Sequence, residues 1–159
     1  IIGHSERRQF FGDTDEVINK KIKSALRNSL NEIFCIGETL TERQGNRTFD
    51  VLKTQVVNGL KGIDLKDIVV AYEPVWAIGT GVTATPEQAE ETHKFIRSEL
   101  RHIYGNIADE TRILYGGSVT PENVNILMSQ PDVDGALVGG ASLKPDSFSK
   151  IVRFKINGG

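Results

Sequence analysis

A glutamate at the end of an apolar stretch is the residue in this sequence that is best placed to do chemistry. Residues 68–72 form a stretch of strand length, Glu73 follows it, and Pro74 comes next. The segment after the proline contains two glycines, at which the backbone can bend freely. A carboxylate at the mouth of a buried strand, followed by a loop with stiff ends and a flexible tip, is typical of a reactive site beneath a lid. We therefore expect Glu73 to do chemistry and residues 74–84 to close over it.

Two pairs of glycines follow later predicted strands and indicate a site for an anion. Gly116-Gly117 precedes Ser118, and Gly139-Gly140 follows the next strand along the chain. Because glycine has no side chain, the backbone amides of such turns can approach a phosphate, and the helix that follows adds the positive end of its dipole. Tight turns that need a positive φ are the alternative explanation for each pair. Two pairs in consecutive strand-to-helix turns favour phosphate binding.

Of the three histidines, only His4 lies directly after a predicted strand. On its own, His4 could be a structural hydrogen-bonding residue rather than a catalytic one. His93 and His102 fall within a helix predicted over residues 86–104, and we expect both at the surface. Since no two histidines have metal-ligand spacing with a nearby carboxylate, the sequence predicts no metal site.

Four other polar or reactive residues have a functional and a structural interpretation. Glu6 and Glu38 lie near strand ends and could be bases, but the simpler expectation is that they pair with neighbouring arginines, namely Arg7, Arg8 or Arg43. Trp76 could stack on a base or a sugar, although its position beside Pro74 favours packing of a loop hinge against the body. Cys35 lies in an apolar strand, which favours a small buried residue over a nucleophile.

Strands and helices alternate along the chain, which predicts a parallel sheet covered by helices in a single α/β domain over residues 1–159. Apolar strands are expected at about 33–36, 68–72, 112–115 and 134–138. Helices are expected at about 13–30, 39–44, 51–60, 86–104, 121–129 and 146–156, while residues 1–8 are interpreted as a strand end followed by a polar cluster. Glycines and small polar residues follow the strands, so the polar groups should collect at the carboxyl ends, where α/β proteins bind their ligands.

Composition places the chain among globular proteins. It has 159 residues, of which 38% are hydrophobic and 25% charged, and its formal net charge is −2. No basic stripe occurs, so we expect no nucleic-acid partner, and no apolar stretch reaches membrane-spanning length, so we expect no membrane contact. The single cysteine excludes an internal disulfide and favours a reducing, cytoplasmic location. The chain opens on Ile1-Ile2-Gly3, which we interpret as the end of a strand, so it is expected to begin within a domain.

Four segments, in this order, resemble the motifs of the triosephosphate isomerase family. They are residues 2–8 (IGHSERR), 71–81 (AYEPVWAIGTG), 115–119 (YGGSV) and 137–143 (LVGGASL). The resemblance implies a (β/α)8 barrel, of which this chain would be the C-terminal portion. It would run from about the end of the fourth barrel strand through the eighth helix, with the first three strands and most of the fourth missing.

The resemblance also implies a reaction. Members of this family interconvert dihydroxyacetone phosphate and glyceraldehyde 3-phosphate through an enediolate and use no cofactor. Glu73 would be the base that moves a proton between adjacent carbons, and His4 would polarise the carbonyl oxygens as a neutral imidazole. Backbone amides of four residues would bind the phosphate of the substrate, namely Gly79, Ser118, Gly139 and Gly140.

The same resemblance assigns a lid and its supporting residues. Pro74-Val75-Trp76 and residues 82–84 would be the two hinges, and Tyr115 and Ser118 would bond the closed lid. The supporting set also includes Glu6, Ile78 and Leu137. The partners implied are a phosphorylated triose and a second subunit in a homodimer. The alternatives are a non-catalytic folding or assembly fragment of such an enzyme, or another phosphate-binding barrel enzyme.

Overall fold

Parallel strands that alternate with helices form the fold in the computed structural model, which describes residues 1–78 and 83–155. The sheet has the strand order β1 (Glu32–Ile36), β2 (Ile68–Tyr72), β3 (Ile113–Tyr115) and β4 (Gly135–Ala136). The helices within the described ranges are α1 (Ser5–Phe11), α2 (Asp15–Arg27), α3 (Leu40–Gln44), α4 (Thr48–Gly59), α5 (Pro86–Tyr104), α6 (Val124–Met128) and α7 (Pro145–Val152). Short 3-10 segments occupy Val75–Ala77, Gly105–Asp109 and Gly140–Leu143. The predicted α/β class with a parallel sheet is confirmed.

The first residues of the chain lie alongside β1. Ile2 forms a parallel bridge with Phe34, and its amide donates to the carbonyl of Ile33 at 2.9 Å. The carbonyl of Ile2 in turn accepts from the amide of Cys35 at 2.8 Å. Because all these segments run in the same direction, the residues that follow Ile2 and the four strands emerge at one edge of the sheet. That edge carries every predicted site residue that the structure describes.

Apolar side chains of the strands and of the helices form one buried cluster that fixes the sheet. Phe34, Tyr72 and Tyr115 are the largest of the fully buried strand side chains. The helices contribute Ile18, Ile22, Leu52, Val56, Ile96 and Leu100. Each such side chain stabilises the fold by roughly 1.5–3 kcal/mol through its removal from water. The positions of the polar residues at the strand ends are therefore set by a rigid core.

The two longest helices, α2 and α5, begin at side-chain caps. Thr14 caps α2 by accepting from the amide of Val17 at 3.4 Å. Thr85 and Gln88 form a reciprocal capping box at the start of α5, and that helix ends at Gly105, whose φ is +70°. The strand β2 matches its predicted bounds, since its apolar run stops at Glu73.

Several predicted bounds differ from the structure. Residues 5–8 of the expected polar cluster belong to helix α1, because the His4 side chain caps the helix and Arg8 donates to the carbonyl of Gly3 at 2.9 Å. The strand β4 has two residues rather than five, since its register with β3 pairs only Leu114 with Gly135 and Tyr115 with Ala136. Helix α6 begins at Val124 instead of residue 121, where a turn stands in its place.

His93 is not a surface residue, so the expectation for it is wrong. Its side chain is fully buried beneath α5, whereas His102 is exposed as predicted. Nδ1 of His93 lies 3.2 Å from the carbonyl oxygen of Asp132. Burial lowers the pKa of His93 to about 4, against the opposing effect of that carbonyl. The imidazole is therefore neutral in the folded protein at physiological pH.

Large apolar side chains are exposed in the helices near both ends of the chain. Phe10 and Phe11 of α1 are 74% and 67% exposed, and Val152 of α7 is 61% exposed. Over residues 1–78 and 83–155 the strand order does not return from β4 to β1, so the sheet is open. Within the same residues, no helix combines the length and the apolar character needed to cross a bilayer.

Candidate functional site

The carboxylate of Glu73 lies at the centre of the polar edge and is held from two sides. Its Oε1 is 3.1 Å from Nε2 of His4, and its Oε2 accepts a hydrogen bond from the amide of Ser5 at 2.9 Å. Glu73 is 2% exposed, while the His4 side chain is 34% exposed. The two residues that the sequence singled out for chemistry are thus in contact, although 69 positions separate them in the chain.

The hydrogen bonds of His4 assign the positions of its protons. Nδ1 accepts from the amide of Glu6 at 3.3 Å, so this nitrogen carries no proton. In the neutral ring the proton is then on Nε2, which faces the carboxylate of Glu73. A neutral imidazole that presents an N–H at the mouth of the site can polarise a carbonyl oxygen without transferring a full positive charge to it.

Several forces act on the protonation of Glu73. Burial raises its pKa, and the proximity of His4, the Ser5 amide and the Cys35 thiol each act in the opposite direction. The net result is a pKa above the ordinary value of a glutamate. A carboxylate with a raised pKa is a stronger base once it is ionised, which suits removal of a proton from carbon.

Cys35 lies near the carboxylate of Glu73, which the sequence did not reveal. Its thiol is fully buried, and burial together with the charge of Glu73 raises its pKa far above the usual range. The thiolate is therefore not formed, and the interpretation of Cys35 as a small buried residue fits these surroundings. The thiol in turn opposes the rise in the pKa of Glu73 that burial causes.

Two glycines bring neighbouring backbone against Glu73. A Cβ on Gly37 would lie 1.7 Å from the carbonyl oxygen of Glu73, and a Cβ on Gly116 would lie 3.0 Å from its Cγ. Any larger residue at Gly37 would therefore displace the chain at the point where the carboxylate is attached. The sequence did not reveal either close approach, because both depend on the register of adjacent strands.

A cavity of about 440 Å³ opens beside the carboxylate. Both glycine turns border it, and so do two of the predicted lid and supporting residues; its lining includes His4, Glu73, Ile78, Gly116, Gly117, Ser118, Leu137, Gly139 and Gly140. The two turns that were predicted to bind an anion therefore face the same space as the predicted base. Gly79 lies outside the described residues.

The alternative explanation of the glycine pairs is wrong. The glycines with positive φ in the described ranges are Gly3, Gly12, Gly62 and Gly105, and none belongs to either pair. Added Cβ atoms at Gly139 and Gly140 would meet no atom within 4 Å, so the pair leaves open space beside its backbone. At Gly117, by contrast, a Cβ would lie 2.3 Å from the Tyr115 hydroxyl. Close packing explains that glycine.

Glu38 joins the start of the predicted lid to the body of the protein. Its Oε1 accepts from the Tyr72 hydroxyl at 3.1 Å, from Nε1 of Trp76 at 3.0 Å and from Nη1 of Arg43 at 3.0 Å. The guanidinium of Arg43 also lies 4.7 Å from the centre of the Trp76 ring. The predicted ion pair of Glu38 with Arg43 and the packing of Trp76 against the body are both confirmed.

The other predicted supporting residues have simpler contacts. Val75 donates its amide to the carbonyl of Glu38 at 3.1 Å, and the carbonyl of Pro74 accepts from the amide of Ala77 at 2.7 Å. Leu137 donates its amide to the carbonyl of Tyr115 at 2.9 Å. These contacts fix the backbone on both sides of the cavity.

Glu6 contributes through its backbone rather than its side chain. The carboxylate is exposed, and the arginines expected to pair with it bind other acids, since Arg7 pairs with Asp13 at 3.3 Å and Arg8 with Asp15 at 2.6 Å. The expectation of an ion pair for Glu6 is therefore wrong. Groups of three or more side chains suited to hold a metal ion are absent from the described part of the chain.

A family model described as triosephosphate isomerase matches residues 1–155. The chain belongs to the triosephosphate isomerase family.

Its relatives carry the same name. Proteins named triosephosphate isomerase from Geobacter metallireducens and Geotalea uraniireducens are each 63% identical to it, over 159 and 158 residues. Another from Moorella thermoacetica is 58% identical over 157 residues. The alignments cover 97–98% of this chain and 63% of each relative. The chain therefore spans less than two thirds of the length of the triosephosphate isomerases that it matches.

Three residues around Glu73 were missed or only partly interpreted from the sequence. Ser5 donates its amide to the carboxylate of Glu73, the Cys35 thiol lies near that carboxylate, and Gly37 packs against the backbone of Glu73. Ser5 lies within the motif of residues 2–8, Cys35 lies within the strand predicted at 33–36, and Gly37 directly follows that strand. The available signal was their position at strand ends, but residue type alone gave them no chemical role.

Proposed function

We propose that this chain carries the proton-transfer groups of a triosephosphate isomerase, which interconverts dihydroxyacetone phosphate and glyceraldehyde 3-phosphate through an enediolate without a cofactor. The contact of 3.1 Å between Glu73 and Nε2 of His4, beside a cavity bordered by two glycine turns, is the observation that carries the proposal. The family match supports the same reaction.

In the proposed reaction, Glu73 removes a proton from the carbon next to the substrate carbonyl. The electron pair of the broken C–H bond moves to the carbonyl oxygen and forms the enediolate, and the N–H of His4 stabilises the developing negative charge. The hydroxyl proton of the enediolate passes from the first oxygen to the second, and protonated Glu73 returns its own proton to the adjacent carbon, which gives the isomeric carbonyl and hydroxyl groups. In the structure this N–H faces Glu73 itself, so the substrate oxygen would replace the carboxylate oxygen as its acceptor.

The phosphate of the substrate would bind at the glycine turns. The proposed donors are the backbone amides of Ser118, Gly139 and Gly140, together with Gly79, which lies outside the described residues. The open space around Gly139 and Gly140 supports this assignment, since a side chain there would occupy the position of the phosphate. The energy of binding this unreactive group would be used to assemble the site around the reacting carbons.

The hinge of the proposed lid is Pro74-Val75-Trp76, with Ile78 next to the cavity. Its contacts with Glu38 support that role, because a hinge needs a fixed base. Tyr115 would bond the returning end of the lid, and Leu137 and Glu6 would support the cavity wall and the His4 tautomer. Closure over the substrate would exclude water from the enediolate.

We further propose that the 159 residues are the C-terminal portion of a (β/α)8 barrel in a cytoplasmic homodimer. The open order of the four strands and the coverage of 63% of each relative support a partial barrel. The exposed Phe10 and Phe11 of α1 support a further interface. Neither nucleic acid nor a membrane is proposed as a partner.

The decisive experiment uses the completed enzyme, meaning this chain joined to the part of the Geobacter metallireducens relative that it does not span. We expect it to isomerise glyceraldehyde 3-phosphate, and Glu73→Asp to lower kcat by about 100-fold, since the shorter side chain withdraws the carboxylate from the carbon. Binding of inorganic phosphate should change little. A variant with unchanged turnover would remove Glu73 from the mechanism.

The second candidate is a folding or assembly fragment without activity of its own. The exposed apolar side chains and the open sheet favour it for the isolated 159 residues, because such surfaces associate. Assay of the purified chain with and without the complementary part separates the candidates. Full turnover by the isolated chain would exclude the fragment interpretation.

A further inference from the structure

Three aromatic rings contact one another between the sheet and helix α5, and one of them belongs to His93. Its ring centre is 5.8 Å from that of Tyr72 and 6.2 Å from that of Tyr115, while the two tyrosine rings are 6.5 Å apart. The three side chains are essentially excluded from solvent. The proposed mechanism gives His93 no role.

The hydrogen bonding of His93 leaves one nitrogen as a free acceptor. Nδ1 lies 3.2 Å from the carbonyl oxygen of Asp132, and a carbonyl can only accept, so the ring proton is on Nδ1. Nε2 is then unprotonated, and it has no hydrogen-bond partner among the described residues. An acceptor that is buried without a donor is costly, so it calls for a partner.

The Tyr115 hydroxyl is the neighbouring group that could supply a hydrogen-bond donor, because it too lacks a partner. It is buried and likewise makes no hydrogen bond of acceptable geometry within the described residues. Burial raises the pKa of Tyr115, and the backbone amide of Ala84 lies near enough to oppose that rise. The hydroxyl is also packed beside Gly117 and Pro74. It therefore lies between the two described ends of the predicted lid.

The position of Asp132 determines where Nε2 of His93 points. Asp132 precedes β4, so its carbonyl lies at the amino end of the sheet, and Nδ1 faces that way. The two nitrogens of an imidazole point away from each other, so Nε2 is directed toward the carboxyl end. Tyr115 is the last residue of β3 and lies at that end.

We propose that His93 is a positioning residue that orients the Tyr115 hydroxyl through one internal water. The water accepts the O–H of Tyr115 and donates to Nε2 of His93, which gives it the minimum of two polar partners that a buried water requires. With its proton held by the water, the phenolic oxygen presents its lone pairs to the Ala84 amide.

This inference rests on the proposed function only for its kinetic effect. If the Tyr115 hydroxyl accepts a hydrogen bond from the Ala84 amide when substrate is bound, loss of the His93 acceptor lets the hydroxyl rotate and weakens that hydrogen bond. The expected decrease in kcat/KM is roughly five- to tenfold, the factor carried by one ordinary hydrogen bond. Because the contact forms around the reacting substrate, the loss should be mainly in kcat.

The first test is a crystal structure of the completed enzyme at a resolution that shows ordered water. A water within hydrogen-bond distance of both Nε2 of His93 and the Tyr115 hydroxyl is expected, and it should be absent from His93→Phe. If neither a water nor a direct bond joins the two groups, the proposal is wrong, whatever the enzyme catalyses. This result does not depend on the isomerase activity.

The second test is a double-mutant cycle with His93→Phe and Tyr115→Phe. Each single variant should lower kcat, and the double variant should be no worse than Tyr115→Phe alone, because His93 acts through the hydroxyl. His93→Gln, which restores an acceptor, should recover part of the loss, and His102→Phe on the exposed end of α5 serves as the control. Additive effects would overturn the positioning role. An inactive wild-type completed enzyme would refute the proposed function, and the crystal structure would still decide the water bridge.

Discussion

Gly37 packs so closely against Glu73 that a Cβ on the glycine would lie 1.7 Å from the glutamate carbonyl oxygen. The amide of Glu73 donates to the carbonyl of Ile36 at 2.7 Å, directly before this glycine. The backbone that carries the carboxylate is therefore fixed by the end of the neighbouring strand. Residue 37 controls the position of the proposed base without touching the substrate.

Gly37→Ala should lower kcat/KM of the completed enzyme by about 100-fold, because a shift of about 1 Å in a reacting group has an effect of that size. Steady-state kinetics measure the change. Gly12→Ala is the control, since its left-handed backbone (φ +68°) costs stability but no atom lies within 4 Å of its Cβ. A Gly37→Ala enzyme with full activity would contradict the close packing.

Removal of the Arg43 guanidinium should destabilise the protein strongly. Glu38 is fully buried and its carboxylate would lose its cation, so Arg43→Met should cost about 3–5 kcal/mol in urea unfolding. The double variant with Glu38→Gln should recover much of that loss. Lys53→Met, at an ion pair with Glu99 in which the lysine is 56% exposed, is the matched control and should change stability by less than about 1 kcal/mol. Equal losses at the two sites would refute this prediction.

Glu32 should destabilise the folded state at neutral pH. It is 3% exposed, both carboxylate oxygens lack a partner in the described part of the chain, and burial followed by the nearby charge of Asp67 raises its pKa. At pH values above the raised pKa the folded state bears a buried charge, whereas below the ordinary value of 4.5 the group is neutral in both states. Glu32→Leu should therefore stabilise by roughly 1–3 kcal/mol near neutral pH.

Urea unfolding as a function of pH measures this effect. The gain from Glu32→Leu should shrink as the pH is lowered toward the ordinary pKa of a glutamate. Glu110→Leu, which alters an exposed acid, serves as the control and should show no such gain. A gain that is independent of pH would mean that the charge of Glu32 is not its cause.

His93 should make stability fall in acid. Its pKa is lowered by burial from 6.5 to about 4, so between these values the unfolded chain binds a proton that the folded chain does not. The stabilising contribution is fully present above about pH 6.5 and is lost as the pH falls through about 4. His93→Gln should lessen the decline of the urea midpoint over that range, and the exposed control His102→Gln should not. Parallel curves for wild type and His93→Gln would count against the buried neutral imidazole.

The sequence predicted elements whose signals are local. The run Ile68–Tyr72 is a strand because five apolar residues end at Glu73, and Thr85 starts a helix because it caps the chain beside a proline. Helix α1 was missed since it depends on contacts of Arg8 with Gly3 and Cys35, which are remote in sequence or outside the helix.

His93 illustrates a signal that was present but outweighed by residue type. Ala89, His93, Ile96 and Leu100 recur at helical spacing and are all buried on one face of α5. The polar character of histidine suggested the surface, whereas the period of the apolar residues placed it in the core. The contacts around Glu73 could not be predicted in this way, because they arise from the register of β1 and β2, in which Ile36 faces Tyr72.

The three donors that share one oxygen of Glu38 have a consequence for motion. If Trp76 moves away, the buried negative charge keeps both its cation, Arg43, and the Tyr72 hydroxyl. Movement of Trp76 then breaks one hydrogen bond to the Glu38 carboxylate and the contact between the Trp76 ring and the Arg43 guanidinium. It leaves no unpaired charge in the core. Redundant anchoring of this kind lets a segment be held firmly at rest and still be released at a low energetic barrier.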